Sequence, residues 1–201
     1  MRTVAILLFN EIEVLDFAGP FEVFGVAGRH DDPKPFRVVT VAERGRVYAR
    51  NGLSLNPTYL LNDHPKTDIV IVPGGGGQHA DGTPYGSRRE MDNPAVLNWV
   101  RRTAATAELV LSVCTGSLIL GKAGLLDGLA ATTHFLAVDD MKKAAPNTEL
   151  HLSERYVDNG KIITSAGISA GIDMSLYVVG RLLGKAVADE TARYMQYDYW
   201  K

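Results

Sequence analysis

Three short apolar runs constrain this chain more than any other feature: Val4–Phe9, the DIVIV run Asp68–Val72, and Glu108–Val113. Each is too short for a typical helix and lacks the strict alternation of a half-exposed strand. Each therefore reads as a strand covered on both faces. Helical spacing falls between and after them. Gly19–Ala27 carries Phe21, Val23, Phe24 and Val26, and Pro94–Ala105 opens on an Asn-Pro start signal with Val96, Leu97 and Val100 on one side. Gly116–Ala123 follows the third run directly, and Phe135–Ala145, Ile172–Leu183 and Ala186–Tyr197 are further helical stretches. Phe36–Val41 is β-rich, and Leu150–Thr164 reads as a hairpin turning at Asp158–Asn159–Gly160. Strands alternating with helices predict an α/β fold in one domain over residues 1–201, with a mostly parallel sheet between two helical layers. Ligand sites in such folds lie beyond the carboxyl ends of the strands.

The charge balance narrows the function classes. Twenty-one basic residues stand against 23 acidic ones, a formal charge of −2. No basic excess offers a sequence-independent grip on nucleic-acid phosphates. The opening apolar run is interrupted by Glu11, Glu13 and Asp16, which argues against a signal peptide. No run approaches the ~20 apolar residues of a membrane helix, so a cytoplasmic protein is expected. The single cysteine cannot close an internal disulfide or build a thiolate metal cluster. No His/Asp/Glu group has metal-ligand spacing, so no metal or other cofactor is expected.

The unusual residues collect after three of the strands: Asp16 and Glu22 after the first, Gly74–Gly77 after DIVIV, and Cys114–Thr115–Gly116 after Glu108–Val113. A parallel sheet would bring these ends to one edge. Cys114 sits where a strand becomes a helix, the pattern of a nucleophile elbow, with Gly116 giving room for close chain approach. Amides at the helix start would favour a thiolate. The Thr115 amide, with one from Gly74 or Gly75, could hold charge developing on a substrate. The competing reading is a buried structural cysteine. The glycine run lacks the ending of a Walker loop and the spacing of a dinucleotide fingerprint. It is either a loop offering amides to a substrate or a flexible connection.

Asp16 lies amid Val14, Leu15, Phe17 and Ala18. An enclosed carboxyl there would have a raised pKa and carry a proton near neutrality, whereas the ordinary fate of Asp is a cap or a surface charge. Glu22 is the other acid that could face the thiol. No histidine adjoins Cys114. His30 and His64 fall in polar loops, His79 follows the glycine run, and His134 ends a short strand, where a structural hydrogen bond competes with a catalytic role. Pocket walls are expected near Phe17, His79 and Phe135.

Taken together, several segments carry a specific likeness: Leu15–Pro20, Val72–Gly75, Ser112–Ser117, Ala123–Gly128, Ala131–His134 and Thr164–Asp173. They span nearly the whole chain. With them the sequence resembles the DJ-1/PfpI (ThiJ/PfpI) superfamily, and within it the isocyanide hydratase branch and the amidotransferase-like domains of AraC-type regulators. The resemblance implies a flavodoxin-like three-layer sandwich, a homodimer, and a small-molecule substrate. It implies that Cys114 attacks the isocyanide carbon, that Asp16 moves a proton, and that Thr115 contacts the thiol region. Gly74 and Gly75 would line the pocket, with Ile168 beginning a helix near Cys114. PfpI-type peptidases place His after the nucleophile. Thr115 stands there in this chain, which counts against proteolysis. Glyoxalase or deglycase chemistry and a non-catalytic sensor are the alternatives. A regulator would continue for about a hundred residues with helix-turn-helix units. The sequence ends at Lys201, with no recognition helix and no basic patch, so no nucleic-acid partner is expected.

Overall fold

The computed structural model describes residues 1–197. Seven strands form the central sheet, in the spatial order Tyr156–Asp158, Ile162–Ser165, Leu109–Val113, Ile69–Val72, Arg2–Leu8, Phe36–Ala42 and Tyr59–Leu60. All neighbours are parallel except the hairpin partner Tyr156–Asp158. Ile69, Val70, Ile71 and Val72 are all fully buried, as are Val4 to Leu7. Burial on both faces is why these runs show no alternation. Each of the valine, isoleucine and leucine side chains among them contributes about 1.5–3 kcal/mol relative to exposure.

Helices α1 (Val14–Val26), α6 (Ala170–Leu183) and α7 (Lys185–Tyr194) pack on one another, and α4 (Gly116–Lys122) packs on α2 (Ser87–Glu90), α3 (Pro94–Thr106) and α5 (Val138–Ala144). These groups are the outer layers of a flavodoxin-like sandwich. Asn93 caps α3, its side chain accepting the Ala95 amide at 3.0 Å. Among the described residues no helix is long and apolar enough to cross a membrane.

Several boundaries depart from the sequence reading. The first helix starts at Val14, not Gly19, and absorbs Pro20 in its interior; Asp16 therefore sits in its first turn. The hairpin turn at 158–160 forms as predicted, but its first arm is only Tyr156–Asp158, because Glu149–Leu150 pairs with Ala130–Ala131 in a separate two-stranded sheet. The terminal helix ends at Tyr194, and residues 198–201 lie outside the described chain.

The crossing between the Ile69–Val72 strand and α4 is very close. A Cβ built on Gly116 would lie 1.9 Å from the Val72 carbonyl oxygen and 2.8 Å from that of Pro73. Both obstacles are backbone and cannot rotate away. Gly116→Ala is expected to cost more than about 3 kcal/mol, lowering the thermal midpoint by about 6–12 °C; circular dichroism melting would measure it.

Candidate active site

The strands Arg2–Leu8, Ile69–Val72 and Leu109–Val113 are adjacent and parallel. Their carboxyl ends bring Asp16, the Gly74–Gly75 turn and Cys114 together. Cys114 has φ +57°, the left-handed region that costs a residue with a Cβ about 1–2 kcal/mol. Its surroundings enforce this. The Cys114 N–H is shared between the carbonyls of Ser165 and Ala166, each at 3.1 Å. Its carbonyl accepts from Ser117 Oγ at 3.1 Å and Thr133 Oγ1 at 3.3 Å. Strain held this firmly by neighbouring bonds is typical of functional positions.

Asp16 is fully buried. Its Oδ2 accepts the Gly74 amide at 3.0 Å, whereas the equally buried Oδ1 has no hydrogen-bond partner. Burial, the largest influence, pushes its carboxyl up to about 7, against the opposing pull of the Gly74 amide. A hydrogen bond with the Cys114 thiol also favours its charged form. Burial likewise pushes the Cys114 thiol up to about 12, helped by the Asp16 charge and opposed by hydrogen bonds from the Thr115 and Ile168 amides. Burial thus works against the expected thiolate at the start of α4, and outweighs the pull of the local amides. Asp16 and Cys114 form a coupled pair in which the carboxyl is the group near its midpoint.

Thr115 ties the turn to the site. Its Oγ1 accepts the Gly75 amide at 3.0 Å and lies 2.7 Å from Ser87 Oγ. A hydrogen bond from its side chain also lowers the pKa of the Cys114 thiol. The amides of Gly74 and Gly75 are thus already committed, to Asp16 and Thr115, and the expectation that either would hold substrate charge is corrected. The amides facing the sulfur belong to Thr115 and Ile168, the latter also left-handed at φ +50°. Ile168 precedes α6, which starts at Ala170.

Cys114, Thr115, Gly75 and Ile168 line a cavity of about 410 Å³; Gly74 and Asp16, both buried, are not among its lining residues. Glu22 and His79 are exposed and take no part in the lining. The wall residues near His79 and Phe135 are instead their neighbours Gln78, His134 and Leu136. Phe17 is buried away from it. Sequence reasoning missed four charged residues of the lining: Glu13, Arg50, Arg88 and Asp140. Arg88 Nε donates to Asp140 Oδ2 at 2.7 Å, and Arg50 lies 3.5 Å from Glu13. Among the described residues no group of three or more His, Cys, Asp or Glu side chains could hold a metal.

The DJ-1/PfpI family model matches residues 2–181. An isonitrile hydratase of Pseudomonas putida is 34% identical over 96% of this chain and 78% of its own length. The HTH-type transcriptional regulator CdhR of Pseudomonas aeruginosa is 32% identical over 90% of this chain, which spans about half, 51%, of the regulator. Among solved structures, a THiJ/PfpI family protein from Pseudomonas syringae superposes with a TM-score of 0.83 at 29% identity, over 98% of this chain and 75% of that one.

Proposed function

The chain belongs to the DJ-1/PfpI family, and from that premise we propose that it is a cysteine-dependent, cofactor-free hydratase of a small electrophile, an isocyanide leading to an N-substituted formamide. The observation that carries this reading is the Cys114–Asp16 pair: a strained elbow thiol beside a fully buried carboxyl with one unpartnered oxygen. The likeness to an isonitrile hydratase supports it.

In this reading the sulfur attacks the isocyanide carbon as its proton passes to Asp16. Asp16 returns that proton to the same carbon, giving a thioimidate, R–N=CH–S–Cys114. Water adds to that carbon, the nitrogen gains a proton, and the carbon–sulfur bond breaks. The formamide leaves and the thiol is restored. A carboxyl near 7 suits both giving and taking a proton at neutral pH. Thr115 and Ile168 hold the sulfur through their amides, and Gly75 shapes the cavity wall. Gly74 positions Asp16. The enzyme works as a cytoplasmic homodimer.

A second reading rests on the regulator likeness: a sensor domain that binds a metabolite without turning it over. Incubating the purified chain with a panel of isocyanides and 2-oxoaldehydes separates the two. Formamide appearing at a rate that scales with enzyme supports the hydratase. Turnover of the oxoaldehydes alone, or saturable binding with no product, overturns it.

A further inference from the structure

The cavity beside Cys114 is not the plain apolar hole that a small neutral isocyanide needs. Arg88 lines it, and its side chain is only 14% exposed. Asp140 holds its Nε at 2.7 Å, which fixes the guanidinium plane. Neither terminal nitrogen of Arg88 has a hydrogen-bond partner among the described residues. The guanidinium is largely enclosed, and its two terminal nitrogens are left open to the cavity, where water or an anion can meet them. The charge is felt inside the site: burial first, then Arg88, holds the His134 imidazole below its ordinary value.

We propose that Arg88 binds a carboxylate on the substrate, so that the natural electrophile is a small carboxylate-bearing molecule with its reactive carbon at Cys114. The planar fork matches a carboxylate in two-point contact. Other charges in the lining do not compete for the same place. Asp140 occupies only the Nε edge, and Glu13 belongs to the Arg50 pair. Asp16 is fully buried and is not among the lining residues. The proposal rests on the hydratase reading only for the identity of the reacting carbon, an isocyano carbon. The anion site itself stands apart from it.

The test uses the chain's single cysteine, so that every thiol adduct reports this cavity. Iodoacetate and iodoacetamide both alkylate sulfur by displacing iodide, the thiol proton going to solvent, and differ chiefly in the carboxylate. The ratio of their rates, divided by the same ratio for a free thiol such as glutathione, is expected to be about tenfold in the wild-type chain. Arg88→Gln should bring it close to one, and Arg88→Lys should restore part of it. A wild-type ratio no greater than that of glutathione overturns the proposal with no variant needed. So does a high ratio that survives in Arg88→Gln. Hydration of isocyanoacetate is then compared with that of its methyl ester. Alkylation selectivity without hydration of either compound leaves the anion site standing and overturns the hydratase reading. Hydration of both at equal kcat/KM does the reverse.

Discussion

Cys114→Ala is expected to lower isocyanide hydration by at least about 10³-fold, the scale on which loss of a covalent nucleophile acts, with the fold intact. The fold survives because alanine keeps the same Cβ at φ +57° and loses only one sulfur atom from a position that is 5% exposed. The bonds that pin the elbow all engage the Cys114 backbone, its N–H donating to the Ser165 and Ala166 carbonyls and its carbonyl accepting from the Ser117 and Thr133 hydroxyls, so the substitution does not touch them. Cys114→Gly sharpens the point. It removes the left-handed penalty of about 1–2 kcal/mol and is expected to melt no lower than Cys114→Ala while being equally inactive. A site kept for packing would show the opposite order. Formamide release measured by chromatography, beside melting curves for both variants, decides between these. An alanine variant that hydrates isocyanides at the wild-type rate would sink the nucleophile.

Much of this was legible in the sequence because it depends on local pattern. An unbroken DIVIV run can only be a covered strand, and three such runs separated by helices leave few topologies in which their ends do not meet. Asp16 announced its burial by its apolar neighbours. What could not be read depends on contacts between distant segments. Whether the Gly74 and Gly75 amides face a substrate or the protein depends on where Asp16 and the Thr115 hydroxyl arrive. The sequence shows glycines but not their partners. The opposing influences on the thiol differ in the same way: the α4 amides are visible as a pattern, whereas desolvation is a property of the assembled core. Arg88 and Asp140 lie 52 residues apart in the sequence. Only the packing of α2 and α5 near α4 puts them in one wall. Two-residue strands such as Ala130–Ala131 carry too little pattern to show at all.

Asp16→Asn is expected to make the protein more stable and less active, with the gain confined to neutral and alkaline pH. The carboxyl is raised from 3.8 to about 7 by burial, so the folded state holds this proton more tightly than the unfolded chain does. A group of this sign favours folding at low pH, and stability is lost as pH rises from about 4 through 7. By pH 8 the buried charge costs on the order of 4 kcal/mol, at 1.36 kcal/mol per pH unit. Asparagine does not ionise, and its carbonyl can still accept the Gly74 amide. Its melting temperature should therefore exceed the wild-type value by about 8–16 °C at pH 8, with little difference at pH 4. Turnover should fall about 10²–10⁴-fold, the range for removal of a proton-transfer group. An equal melting shift at both pH values would mean that the carboxyl is not buried as a titrating acid. Full activity in the asparagine variant would remove Asp16 from the proton path. A gain in stability joined to a loss of turnover is what a carboxyl buried for chemistry, against the interest of the fold, must produce.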